Sequence, residues 1–504
     1  MNTELMNAMP TAPLVTRADL TLLADPSRVV AQLFVPGQEL ALDHDSRTSN
    51  VLSRILSLPE ETVEATLESV IADFSDRHRD LRQILQTHFD RVAHRVPTVA
   101  LLSDARRLLI GACFTKEYAV EAAALFNPSV VPHPDQSNLP EGAVRFVMSL
   151  RAVGEGHISS IEFRTGVAGP GHTVTIDDPG RFLDAGRHSA TVYDKALFLG
   201  KLAEAGADGE SSSVLLQKLP AHFDDETLRT ALSQLSRRSM AWHGSTHTAE
   251  LARWIAACNY DLDFDPAAPL ADRILWPNAP SESQGMEDAR FVRFVDDDGA
   301  TTYYGTYTAY NGAQVTPQLI ETADFQHFRI SQLAGPSARN KGMALFPRKI
   351  DGHFVALSRW DRESSAITTS MDGRIWGAPI TLQSPQQPWE IIQLGNAGSP
   401  IETASGWLVI THGVGPMREY SLGAILLDLD DPTRVIGALR EPLMRPRPDE
   451  RDGYVPNVLY SCGALVVGDQ MLLPFGIGDS SVHFAFVDVP MLLERLAVDG
   501  PPQA

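Results

Sequence analysis

Glu287 and Asp288 stand side by side, between Gly285-Met286 and Ala289-Arg290, just ahead of the apolar run Phe291-Val292-Arg293-Phe294-Val295. Adjacent carboxylates repel one another, so a sheltered one can hold its proton near neutral pH. A carboxyl group in that state is what a general acid requires. The same residues also fit a solvated acidic turn with an arginine partner. Their surroundings read as a loop feeding a hairpin. Ile274-Leu275-Trp276-Pro277 precede a polar loop, the run from Phe291 alternates at period two, an Asp/Gly turn follows, and Thr301 to Tyr307 return.

The elements that must carry this pair belong to a chain of 504 residues, 43% hydrophobic, with a mean hydropathy of −0.11. That is enough for two or three ordinary domains, or one large β domain with additions. The net charge is −21 and the pI about 5.1. No basic face of the kind that tracks nucleic-acid phosphates is visible. Cys113, Cys258 and Cys462 are far apart and odd in number, which suggests neither a disulfide framework nor a clustered zinc motif. The first twenty residues lack the basic-then-apolar layout of a signal peptide. No run of about 18 apolar residues is present to span a membrane. A soluble cytoplasmic protein is the expectation, with no nucleic-acid or membrane partner and no metal.

Residues 1–15 read as a loose tail, and the pattern from Leu20 to about Ile110 as helical. Pro59-Glu60-Glu61 is a helix start, with proline and acids in the first turn. The expectation is a helical extension over 1–118, which packs or dimerises. Strands follow at Arg145–Val153 and Ile158–Arg164, and residues 166–250 read as a helical insertion. His247–Cys258 fits a short helix or an irregular strand equally. From Gly285 to about Val489 turn signals recur at short intervals. Similar units return at roughly 40 to 50 residues, the spacing of propeller blades. With the segment 127–164 there are about five units, whose repetition would close the sheet edges; paired β-sandwiches are the alternative. The last residues, 491–504, read as a tail.

Several motifs together resemble glycoside hydrolase family 130, the β-mannoside phosphorylases and β-mannosidases. Gly-Met-Glu-Asp-Ala-Arg at 285–290 is similar to the family's Gly-x-Glu-Asp-Pro-Arg. In the family's order come Phe126-Asn127-Pro128, Leu150-Arg151-Ala152-Val153-Gly154, Tyr307-Thr308-Ala309-Tyr310 and Lys341-Gly342-Met343-Ala344-Leu345-Phe346-Pro347. Gly398-Ser399-Pro400-Ile401, Thr411-His412-Gly413-Val414 and Phe475-Gly476-Ile477-Gly478-Asp479 complete the set, which covers about residues 120–490 without the insertion.

The resemblance implies a mainly β fold, a five-bladed β-propeller over 119–490, with the helical extension and insertion added to it. It implies inverting phosphorolysis of a terminal β-mannoside, giving α-mannose 1-phosphate. By that match Asp288 is the proton donor, acting through the mannose 3-hydroxyl, and a carboxylic acid of raised pKa suits the task. Inorganic phosphate is the co-substrate and no other cofactor is implied. Phosphate brings its own negative charge, so cations must hold it. Lys341, Arg359 and His412, with Arg290 as a further possibility, match the family's strand ends. Asn127, Arg151, Glu287 and Asp479 are the sugar contacts, with Arg290 beside them. Trp276, Trp360 and Trp389 could stack on sugar faces or serve the core. The chain departs from the family at Ala289, where proline is usual, and at Asn311, where some phosphorylases carry a basic residue. Two other readings stand: an inverting β-mannosidase with Glu390 or Glu419 as base, and a propeller that binds a glycan without catalysis.

Overall fold

The computed structural model describes residues 13–36, 44–96, 99–207, 209–238 and 243–502. Antiparallel β structure dominates it. The first array holds strands Ala124–Pro132, Val144–Val153, Ser159–Gly169 and Thr173–Ile176 in chain order. The second runs through Gly285–Val295, Thr301–Tyr310, Val315–Thr322 and His327–Gln332, and is widened by Tyr260–Asp263 and Arg187–Ser189. The third contains Ala344–Leu345, Phe354–Ser358, Ser365–Ser370 and Ile380–Gln383. The fourth contains Gln393–Asn396, Gly406–Val414, Tyr420–Leu427 and Val435–Ala438. The fifth contains Leu459–Tyr460, Gln470–Ile477 and Ser481–Asp488, and its outer strand is Val15–Leu23.

Each array is tied to the next. Phe291 N donates to Ser129 Oγ at 3.0 Å, joining the second array to the first. Val295 N reaches Pro347 O, Leu394 N reaches Glu363 O and Tyr420 N reaches Asn457 O, linking second to third, third to fourth and fourth to fifth. Cys462 N donates to Pro128 O at 2.8 Å and brings the fifth back to the first. The contacts are apolar as well. Phe163, Phe291, Phe325 and Phe328 pack between the first two arrays. Leu125, Phe146, Leu472 and Phe484 fill the seam between the first and the fifth.

The N-terminal region departs from its expected helical form. Thr16 pairs with Phe486 and Thr21 with His483, so residues 15–23 are a strand of the last array. Val29–Leu33 pairs with Thr115–Ala119. Between them lie α1 (His44–Ser57), α2 (Glu60–Phe74), α3 (Leu81–Val92) and α4 (Asp104–Cys113). Pro59 does open α2, with Glu60 and Glu61 in its first turn, and Ser103 caps α4 by accepting from Arg106 N at 3.1 Å. A buried charge network anchors this region. The Arg28 guanidinium reaches Glu121 at 2.9 Å and Glu162 at 2.8 Å, and Arg164 binds the same two carboxylates.

The insertion also begins later than residue 166, because Ser159–Gly169 and Thr173–Ile176 complete the first array. Its helices are α5 (Lys195–Glu204), α6 (Gly209–Leu216), α7 (Asp225–Arg238) and α8 (His243–Ala257), so His247–Cys258 lies almost wholly in a helix. Phe198, Leu202, Leu215 and Ile255 form their common core. The expected tail carries α9 (Val489–Asp499), capped by Asp488 and burying Leu492 and Leu496. Among the described residues no helix is long and apolar enough to cross a membrane.

Candidate active site

The Glu287-Asp288 pair lies inside the strand Gly285–Val295 and not in a loop before it. Gly285 sits at φ 129°, bridged to Ser159; a Cβ there would fall 2.3 Å from Ser159 Oγ. Only glycine allows the first two arrays to approach so closely. Pairing with Thr301–Tyr310 then slips between Glu287 and Arg290, and Asp288 adopts a left-handed φ of 56°. Such a bulge re-aims a side chain that regular alternation would send elsewhere. Asn127 repeats the device: its strand slips between Phe126 and Ser129, and its φ is 51°. Asn and Asp tolerate this conformation better than other side chains. The two bulges turn toward each other, and Asn127 Nδ2 donates to Asp288 Oδ1.

Around this contact the side chains interlock. Arg151 places Nη1 3.4 Å from Asp288 Oδ1 and Nη2 2.6 Å from Glu287 Oε1. Lys341 Nζ binds the other oxygen of Glu287. Arg290 is fully buried beneath, donating to the Asp288 carbonyl at 2.9 Å and to Tyr460 Oη at 2.7 Å. It therefore holds the bulge from below and does not line the cavity. Arg359 Nη1 lies 3.0 Å from His412 Nε2, and His412 Nδ1 lies 3.2 Å from Asn396 O. If Nδ1 carries the ring proton, Nε2 is free to accept from the guanidinium.

A cavity of about 190 Å³ gathers Asn127, Arg151, Asp288, Lys341, Arg359, His412 and Asp479. That is below the range of drug-sized pockets and suits a single sugar ring with a small ion. Asn127 Oδ1 and Arg359 Nε are buried beside it with no protein hydrogen-bond partner. Of the expected site residues, Glu287 contributes through its contacts with Arg151 and Lys341. Gln393, Arg418, Tyr420, Val458 and Tyr460 complete the wall. These five were missed, and only Arg418 and the tyrosines are of types that invite notice without the fold.

The electrostatics correct two expectations. Burial raises the Asp288 carboxyl, but Lys341, Arg151, Arg290 and the Asn127 amide outweigh it and bring the pKa down to about 2. In the ligand-free protein Asp288 is a carboxylate and not a raised acid. The raised acid is Asp479, pushed up to about 7 by burial and by the charge of Asp288, against the pull of Arg151, Arg418 and Lys341. His412 was expected to be a cation. Burial, then Arg359 and Arg290, hold its pKa well below the usual histidine range, so the ring is neutral.

The remaining residues lie elsewhere. Glu390 is buried and accepts from the backbone N–H groups of Gln386 and Gln387. Glu419 pairs with Arg451 at 2.9 Å. Neither lines the cavity. Trp276 packs edge-on to Tyr118 with ring centroids 4.6 Å apart, and Trp389 Nε1 donates to Arg440 O. Trp360 is exposed, outside the cavity. Among the described residues no cluster of His, Cys, Asp or Glu is placed to hold a metal.

The family model Glyco_hydro_130, described as beta-1,4-mannooligosaccharide phosphorylase, matches residues 268–497. A 1,2-beta-oligomannan phosphorylase of a Thermoanaerobacter species is 33% identical over 251 residues, covering 48% of this chain and 81% of the relative. The chain belongs to glycoside hydrolase family 130. A family member from Listeria innocua, a beta-1,2-mannobiose phosphorylase, is 28% identical over 287 residues, 55% of this chain and 77% of its own. The solved structure of a Listeria innocua beta-1,2-mannobiose phosphorylase in complex with beta-1,2-mannobiose aligns with a TM-score of 0.44 at 21% identity. That alignment covers 76% of this chain and 93% of the other. The family-like motifs at 126–128, 150–154, 285–290, 341–347 and 475–479 each contribute a side chain to the one cavity or to its support.

Proposed function

We propose that the protein cleaves a terminal β-mannoside with inorganic phosphate, releasing α-mannose 1-phosphate and a shortened sugar. The observation that carries this reading is the charge of the cavity. Arg151, Lys341, Arg359 and Arg418 surround Asp288 and Asp479, in a chain whose net charge is −21. A neutral sugar and water need no such concentration of cations, whereas a phosphate dianion does. The phosphorylase names of the relatives support the same class. They include both β-1,2 and β-1,4 linkages, so the proposal is for β-mannosides as a class. The five arrays, hydrogen-bonded in cyclic order, are read as the blades of a five-bladed propeller with the cavity at one end of its axis.

In this reading Lys341 and Arg359 hold phosphate, and neutral His412 positions Arg359 through the lone pair of Nε2. Asn127, Arg151 and Asp479 grip the mannose hydroxyls, and Glu287 holds Arg151 and Lys341 in place for them. A phosphate oxygen bonds to the anomeric carbon as the glycosidic C–O bond breaks on the opposite face, which inverts the centre. The departing oxygen takes a proton from Asp288, relayed by the mannose 3-hydroxyl. Asp288 must therefore be protonated first, against a ligand-free pKa of about 2. A phosphate dianion beside Lys341 and Arg359 offsets the cations that hold it there, and so raises it. Protonation of the acid becomes conditional on the co-substrate, with Asp479 as the adjacent carboxyl that still carries a proton near pH 7.

The test is incubation with a panel of mannobioses, with and without phosphate. Mannose 1-phosphate should appear only with phosphate, and Asp288→Asn should lower kcat by about 10³-fold. Equal turnover without phosphate refutes the reading.

A further inference from the structure

The catalytic cavity does not end at Lys341 and Arg359. Both side chains, with Gln393, also line an open cavity of about 520 Å³ bounded by Asn340 and Arg362. A third cavity of about 510 Å³ shares Asn340, Arg362 and Val315 with the second, and reaches Arg339, Trp360 and Lys201 of α5. Shared lining residues thus link the three in series, and we treat them as one groove from the site toward the helical insertion.

Its charge is unlike that of the rest of the molecule. Lys201, Arg339, Lys341, Arg359 and Arg362 face it, against the single carboxylate of Asp361. That carboxylate is occupied by the backbone N–H groups of Glu363 and Ser364. The chain as a whole has 63 acidic and 42 Lys and Arg residues, so five to one is a strong local inversion. Lys341 and Lys201 have carboxylate partners in Glu287 and Glu204. Arg339, Arg359 and Arg362 have none among the described residues. Arg362 is nonetheless held in place. It sits at a left-handed φ of 77°, and its Nε donates to Asn340 Oδ1 at 3.0 Å. Asn340, itself at φ 60°, donates in turn to the Trp360 carbonyl. An arginine kept in a left-handed conformation, with its guanidinium anchored but given no carboxylate partner, points to a role beyond packing.

We propose that this groove is a loading site for a phosphate dianion: free phosphate on its way in, or the phosphoryl group of mannose 1-phosphate in the reverse direction. The inference rests on the phosphorolysis reading. It adds that Arg362 and Arg339 capture the anion in an otherwise repelling field and pass it along Arg359 to the catalytic cavity. The neutral mannoside needs no such guidance.

The test is the double variant R339A/R362A, both exposed positions. The Michaelis constant for phosphate should rise about three- to tenfold, with that for the β-mannoside moving less than twofold. The salt dependence of kcat/KM for phosphate should flatten relative to wild type. The same shift with mannose 1-phosphate as donor assigns both sources to the groove, and a shift with phosphate alone restricts it to the inward route. Unchanged phosphate kinetics and an unchanged salt slope overturn the proposal. A readout without turnover is the 31P line width of inorganic phosphate added to D288N protein. The broadening should weaken when R339A/R362A is added, and equal broadening also overturns the proposal. Phosphate-independent turnover by wild type would instead defeat the phosphorolysis reading, and the line widths would still judge the groove.

Discussion

Replacing Asp479 by Asn should change thermal stability in a pH-dependent way. The folded protein raises the Asp479 pKa from 3.8 to about 7. A carboxyl raised in the fold binds more protons folded than unfolded across that window, so its contribution to stability falls as pH climbs from about 4 to 7. At about 1.4 kcal/mol per pKa unit, the full cost at alkaline pH is about 4 kcal/mol. Asp479 borders the cavity and is only partly shielded from solvent. Allowing for solvent screening, the change between pH 4.5 and 8.5 should be about 2 kcal/mol. The amide mimics the protonated acid at every pH and escapes this cost. A chain of this size unfolding in one transition has an entropy of unfolding near 1 kcal/mol/K, so 2 kcal/mol corresponds to about 2 °C. Differential scanning calorimetry of both proteins at the two pH values should show the variant gaining about 2 °C on wild type as pH rises. A difference independent of pH would mean that Asp479 titrates in the ordinary range, and the neighbouring proton for Asp288 would have to come from elsewhere.

Gly395→Ala should raise the Michaelis constant for phosphate several-fold while far-UV circular dichroism stays the same, because the new Cβ would lie 2.9 Å from His412 Cε1 and 3.0 Å from Arg359 Cδ. An unchanged constant would separate that pair from phosphate binding. Arg28→Ala should destabilise the fold by about 3–5 kcal/mol, since it leaves Glu121 and Glu162 buried with Arg164 alone. Calorimetry reading a loss under 1 kcal/mol would show that the network is not needed as a set.

The β character of residues 285–489 was legible because period-two alternation and Asp/Gly turns are local signals, present at Phe291–Val295 and at Asp351-Gly352. Asn127 and Lys341 were legible only as members of an ordered set of motifs, whereas Asp288 also drew notice as half of an adjacent acidic pair. What brings them together is a backbone event, the paired left-handed bulges at Asn127 and Asp288, which no periodicity records. The strand Val15–Leu23 was hidden for another reason: its partner, Ser481–Asp488, lies hundreds of residues along the chain, and no local signal records such a pairing. The charge states depend on burial. His412 could carry charge by type and is held neutral by burial and by Arg359 and Arg290, and Asp479 is raised because it is buried beside the charge of Asp288. Glu390 looked available for chemistry until the structure placed it away from the cavity, with its Oε1 accepting from the backbone of the preceding turn.

The pairing of Thr21 with His483 spans 462 residues. A ribosome adding about 5 to 20 residues per second needs roughly 20 to 90 seconds to bridge that interval. Throughout it, residues 15–23 emerge early and must wait as an unmatched edge, open to strands of other nascent chains. The last array is thus a lock that turns only once residues 481–488 have been made, and conditions that slow elongation should lengthen the period in which the newborn protein depends on chaperones.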